Sequence, residues 1–260
     1  MSTADSSSRN IHRDGAGDST WSVHGGEKRQ RFAKSVTEPI AQTATYVFDS
    51  LDEFDEYKQG RRTHYEYGRY GNPTIQAAEQ KLAALDSAEA ALMFSSGMSA
   101  ITTVLLAILR SGQHMIIMED CYRRTVQLCD LLGKFGVECT MVQPGDFDTL
   151  KAAVRPETRI LFAESPTNPH LHIADLEALV PFAKEHRLRL FIDSTFATPI
   201  NQRPVEFGVD LVFHSATKYL GGGTTTSWRA ASAGKPRWCR LSRRSATSSV
   251  PIPIRTRRTC

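Results

Sequence analysis

From Asn72 to Phe213 the chain switches repeatedly between two hydrophobic patterns, and this alternation constrains its fold more than any other feature. Short apolar runs at 91–94, 115–118, 137–142, 160–163, 188–192 and 211–213 have the length and near-continuous apolar character of strands buried on both faces. Between them, stretches at 73–86, 98–110, 123–135, 146–154 and 175–186 carry apolar residues at helical spacing. Strand and helix in strict alternation predict an α/β domain, a largely parallel sheet with helices on both faces. In such a sheet the ligand lies at the carboxyl ends of the strands, so the residues just after each apolar run are where chemistry is expected. No internal repeat is visible.

The rest of the chain frames this region. Residues 1–20 are rich in Ser, Asp and Gly and read as disordered; 21–71 form an arm with few periodic stretches, of a kind that packs on another body. The α/β domain spans 72–223, and 224–260 read as an aberrant, disordered basic tail. Of the 260 residues 40% are apolar, enough for a substantial core, and no run is long enough to span a bilayer. The net charge of +4 would suggest nucleic acid, but residues 228–260 hold eight Arg and Lys235 with no acid, so +4 − 9 leaves 1–227 at −5. That excess begins where the periodic patterns stop, which argues against a basic binding face and against a nucleic-acid partner. Five cysteines, Cys121, Cys129, Cys139, Cys239 and Cys260, form no Cys-x-x-Cys pair, so neither a disulfide framework nor a metal site is expected and a reducing, cytoplasmic setting fits.

Two rim residues stand out. Asp193 follows the run ending at Ile192, and the run ending at Phe213 leads into His214-Ser215-Ala216-Thr217-Lys218, with glycines at 221–223. A pyridoxal-phosphate site needs a lysine to hold the aldehyde and a carboxylate to keep the pyridine nitrogen protonated. It also needs phosphate donors, which Ser215 and Thr217 can supply from the same turn. Ser96-Gly97-Met98 opens a helix where free N–H groups and the dipole favour a phosphate. Tyr122 begins the next helix and offers a face for ring stacking. Asn168, in a Pro-x-Asn-Pro turn, can bond the ring's phenolic oxygen or a substrate carboxylate. Taken singly, these residues equally suit a solvated lysine, a helix cap, a core tyrosine and a turn-former.

Seven motifs in order make the set specific: 23–26 (Val-His-Gly-Gly), 65–74 (Tyr-Glu-Tyr-Gly-Arg-Tyr-Gly-Asn-Pro-Thr), 95–98 (Ser-Ser-Gly-Met), 120–125 (Asp-Cys-Tyr-Arg-Arg-Thr), 164–169 (Glu-Ser-Pro-Thr-Asn-Pro), 193–199 (Asp-Ser-Thr-Phe-Ala-Thr-Pro) and 215–218 (Ser-Ala-Thr-Lys). From about Val23 to Gly223 the chain resembles the Cys/Met-metabolism pyridoxal-phosphate family, and within it the cystathionine gamma-synthases most. The resemblance implies the large domain of a fold-type I, aspartate-aminotransferase-like enzyme. It implies catalytic roles for Lys218, Tyr122 and Asp193, and further cofactor contacts from Ser96, Gly97, Met98, Asn168, Thr195, Ser215 and Thr217. It also implies that Tyr67 and Arg69 reach the phosphate of a neighbouring subunit in a homo-oligomer, a dimer of dimers. The implied reaction joins an O-acylhomoserine and cysteine into cystathionine, with gamma-lyase, beta-lyase and homoserine sulfhydrylase as alternatives that share the cofactor motifs. Methionine gamma-lyases place a cysteine where Arg124 stands, which argues against that member.

The resemblance stops after Gly223. The family continues with His-Asn-Asp-Val-Leu-Ala-Gly, and residues 223–230 can be coded as GGC ACA ACG ACG TCC TGG CGG GCG, which two bases later reads CAC AAC GAC GTC CTG GCG GGC and spells that string. Trp228, with its single codon, still fits. A frame shift is therefore expected, with the small C-terminal domain and its arginine for the substrate carboxylate missing. The competing expectation is an inactive translation product, at most a folding partner for intact subunits.

Overall fold

The computed structural model describes residues 17–27, 34–221 and 230–234. Seven strands form one sheet among them: β1 (Ala90–Phe94), β2 (His114–Met118), β3 (Glu138–Val142), β4 (Thr158–Glu164), β5 (Arg189–Asp193), β6 (Leu211–Ser215) and β7 (Ala230–Gly234). Their order across the sheet is β1-β7-β6-β5-β4-β2-β3. The pairs from β3 to β6 are parallel, and β7 runs antiparallel between β6 and β1. Every residue of β2 is buried, as are the last five of β4 and the last four of β5. Consecutive buried residues point to opposite faces, so helices must cover both sides of the sheet.

Those helices are α3 (Pro73–Leu85), α4 (Gly97–Ile108), α5 (Arg123–Gly133), α6 (Phe147–Ala153) and α7 (Leu176–Glu185), with short turns α8 (Thr198–Asn201) and α9 (Pro204–Phe207) beyond β5. Their starts are set by local chemistry. Asn72 accepts the N–H groups of Thr74 and Ile75 at 2.9 and 3.3 Å, and Pro73 supplies a preset φ at the first helical position. Asp146 and Asp175 cap α6 and α7 in the same way. One contiguous core runs from α4 across β2, β4, β5 and β6. Phe213 lies at its centre, stacked on Phe162 at 5.7 Å and edge-on to Phe191 at 6.0 Å.

Three segments differ from the sequence-based expectation. Helix α1 (Asp18–His24) begins inside the stretch read as disordered, while residues 1–16 lie outside the described residues. The arm holds a helix, α2 (Leu51–Lys58), whose N-cap Ser50 accepts the N–H of Glu53. Strand β7 comes from the stretch read as a disordered tail. A backbone ladder needs only five residues with free N–H and C=O groups, and β1 and β6 offer unpaired edges on either side. The remainder of the basic tail lies outside the described residues. No helix among the described residues is long and apolar enough to cross a membrane.

Gly26 explains its own motif. Its φ is +71°, and a Cβ there would overlap the backbone at Gln80, so the chain turns tightly against α3 only with glycine.

Candidate active site

Asp193 ends β5 and is 8% exposed. One of its oxygens, Oδ1, accepts the backbone N–H of Thr195 at 3.1 Å and its hydroxyl at 2.5 Å. The same hydroxyl oxygen accepts the N–H of Ser215 at 2.8 Å, tying the ends of β5 and β6 together. Gly97, first residue of α4, lies against Ser215; a Cβ on it would sit 3.4 Å from the serine's Cβ. Asp193, Thr195, Ser215 and Gly97 thus form one continuous rim.

Burial pushes the Asp193 carboxyl above the usual range, against the opposing pull of the two Thr195 hydrogen bonds and of His214. His214 is itself buried, its Nε2 within 3.0 Å of both carboxylate oxygens of Asp86. Burial works against charge on that imidazole, but the Asp86 carboxylate offsets this and its pKa is raised. Glu164 ends β4, pairs in register with Asp193 and is 6% exposed. Its pKa is pushed up to about 8, first by burial, then by repulsion from Asp193. Two acids therefore converge on one strand-end edge, and the second was passed over in the sequence. Its signal was the same as that of Asp193: an acid immediately after an apolar run.

The phosphate-cup motif opens α4 through a capping box. Ser96 Oγ accepts the N–H of Ser99 at 3.0 Å, and Ser99 Oγ accepts the N–H of Ser96 at 2.9 Å. The N–H groups of Gly97 and Met98, in the first turn, have no acceptor within the helix, and Gly97 lies against Ser215. Met98 Sδ accepts from the Thr125 hydroxyl at 3.8 Å, which joins α4 to α5 near Tyr122. Tyr122 is the N-cap of α5, with its ring 43% exposed, and its backbone N–H donates to Glu164 Oε2. Lys218 follows on the same turn as Ser215, whose carbonyl accepts its N–H at 2.9 Å; its side chain is exposed and that of Thr217 half-buried. Asn168 is exposed on the loop after β4, between two cis peptide bonds, Ser165–Pro166 and Asn168–Pro169.

Tyr67 and Arg69 stand apart from this rim. The Arg69 guanidinium lies over the rings of Tyr67 and Tyr70 at 5.4 and 5.5 Å. Arg69 lines a groove of about 250 Å³ between the arm and β1 that includes none of Asp193, Ser215 or Lys218. A second cavity, of about 340 Å³, borders the rim only through Glu164.

The rim fits pyridoxal phosphate. Asp193 is a buried carboxylate bonded on one oxygen, suited to a protonated ring nitrogen, and the α4 N-terminus beside Ser215 offers N–H donors for a phosphate. Lys218 and Tyr122 are both exposed, as contact with a ligand would require.

Comparison with known proteins agrees. A family model described as Cys/Met metabolism PLP-dependent enzyme matches residues 19–244, past Gly223, where the motif resemblance ended. The cystathionine gamma-synthase 1 of Nicotiana tabacum is 41% identical over 209 residues, 79% of this chain and 39% of its own length. The L-methionine gamma-lyase of Pseudomonas putida is 38% identical over 207 residues, 79% of this chain and 52% of its own. Among solved structures, metB from Corynebacterium glutamicum superimposes with a TM-score of 0.83 at 34% identity, covering 92% of this chain and 61% of that one. A putative O-acetylhomoserine (thiol)-lyase from Campylobacter jejuni, solved with a pyridoxyl-lysine monophosphate, gives 0.78 at 30% identity, covering 85% and 55%. The chain thus spans about two fifths to a half of the length of these curated relatives. With motifs, fold and rim in agreement, the chain belongs to the Cys/Met metabolism family of pyridoxal-phosphate-dependent enzymes.

Proposed function

We propose that this chain carries the cofactor half of a cystathionine gamma-synthase, which joins an O-acylhomoserine to cysteine in the cytoplasm as a step of methionine biosynthesis. The observation that carries the cofactor assignment is the rim itself, where hydrogen bonds link Asp193, Thr195 and Ser215 and the first residue of α4, Gly97, lies against Ser215. Bound pyridoxal phosphate supplies an electron sink for the pair left when the substrate's Cα–H bond breaks.

The protein's own residues do the rest. Lys218 would hold the cofactor's aldehyde, and its amine, when free, would move protons at the substrate's Cα and Cβ. Asp193 keeps the ring nitrogen protonated. Tyr122 stacks on the ring, Asn168 bonds its phenolic oxygen or the substrate carboxylate, and Ser96, Gly97, Met98, Ser215 and Thr217 surround the phosphate. The γ-ester leaves and the cysteine thiol takes its place.

Arg124 stands where methionine gamma-lyases have cysteine and argues against that member alone; the synthase is preferred to the other lyases on the wording of residues 66–70 and 120–125, because identities to relatives named synthase and lyase are nearly equal. Tyr67 and Arg69, away from the rim in one chain, suit a role on the phosphate of a second copy. The arm residues Val36, Ile40 and Val47, all more than 80% exposed, are apolar surface such a copy would cover.

The test compares the 260-residue chain with the product of a gene whose frame is restored after Gly223, at matched cofactor occupancy, with O-acylhomoserine and cysteine. The restored protein is expected to form cystathionine and the 260-residue chain to form negligible amounts, since loss of substrate-carboxylate positioning costs several kcal/mol at the transition state. Comparable turnover by both would refute the frame-shift argument. Release of a 2-oxo acid and ammonia in place of cystathionine would favour a lyase.

A further inference from the structure

Helix α5 starts without the usual help. Its N-cap, Tyr122, makes no side-chain cap, and its first turn carries Arg123 and Arg124 with no acid, the unfavourable sign at a helix N-terminus. The missing acceptor arrives from the sheet. Glu164 Oε2 accepts the Tyr122 N–H. Glu164 pairs in register with Asp193, so the two side chains leave the sheet on one face, and both are more than nine-tenths buried. A single buried carboxyl therefore tethers to the end of β4 the segment bearing Tyr122, next to Asp193.

We propose that Glu164 is a positioning residue that fixes Tyr122 against the sheet and so sets one wall of the slot in which the pyridoxal ring would lie. The inference rests on the cofactor reading above. Buried hydrogen bonds hold geometry tightly because breaking them strands an unsatisfied N–H away from water. Tyr122, with nearly half its ring exposed, has little side-chain packing to hold it otherwise. Gln at 164 keeps an acceptor oxygen at the same reach, whereas Ala removes it.

The test uses the full chain as wild type, E164Q and E164A, reading amide hydrogen exchange without cofactor and then titrating pyridoxal phosphate by its bound absorbance. E164A is expected to speed exchange at Tyr122 by about tenfold or more, with the amides inside β4 and β5 unchanged, and to weaken cofactor binding by a similar factor. E164Q is expected to stay near wild type in both. Unchanged exchange at Tyr122 in E164A, faster exchange spread evenly over the sheet, or E164Q failing as badly as E164A would overturn the tether. Lost protection with cofactor binding unchanged would overturn the slot. Wild type that binds no pyridoxal phosphate would sink the cofactor reading and the slot with it, while the exchange data would still decide the tether.

Discussion

Asp193 and Lys218 were legible from sequence because a strand's end is where an α/β sheet places its chemistry, and both follow apolar runs. If Asp193 holds the ring nitrogen protonated, Asp193→Ala should leave attachment to Lys218 intact yet slow Cα deprotonation by orders of magnitude. Substrate α-proton exchange followed by NMR in the frame-restored protein checks this, and an unchanged rate would make Asp193 structural. Glu164 was less legible because its role lies in a backbone hydrogen bond that sequence does not display. Its raised pKa carries a thermodynamic consequence: between its ordinary 4.5 and about 8, the folded protein keeps a proton that the unfolded chain has released. Stability should therefore fall as pH rises through that window, by at most about 1.4 kcal/mol per pH unit from this group. Urea titrations at several pH values should show that slope in wild type and a flatter one in Glu164→Gln; identical slopes would contradict the assignment.

At the scale of elements, strands β1 to β6 and helices α3 to α7 emerge from sequence to within a few residues, since continuous apolar runs and amphipathic stretches have little else to become. Elements with weak signals escaped. Strand β7 is built from Ala and Ser and ends in Gly, with no β-branched residue and no alternation, and only its place between two open edges makes it a strand. Helix α2 carries five charged residues in eight, and its start depends on the Ser50 cap. The core that holds the rim in place is dominated by Phe162, Phe191 and Phe213. Phe191→Ala should cost about 3–5 kcal/mol of stability, read by chemical denaturation, because the rigid sheet cannot collapse into the void. A loss under about 1 kcal/mol would mean that this packing is not what supports the ends of β5 and β6.

At the scale of the whole molecule, the arm was among the least legible parts, because its exposed apolar residues have no partner in the periodic region. Arm residues such as Ile40, 83% exposed, gain meaning only against another body, and the Arg69–Tyr67 stack lies away from the rim in a single chain. The central claim is independent of any such body, since the rim is assembled within one chain. It is tested most directly by loading the 260-residue protein with pyridoxal phosphate, reducing with borohydride and mapping the labelled peptide. Label on Lys218, at the end of the strand next to that of Asp193, is the predicted result. Label on any other lysine, or none in a sample shown to be folded, would contradict it.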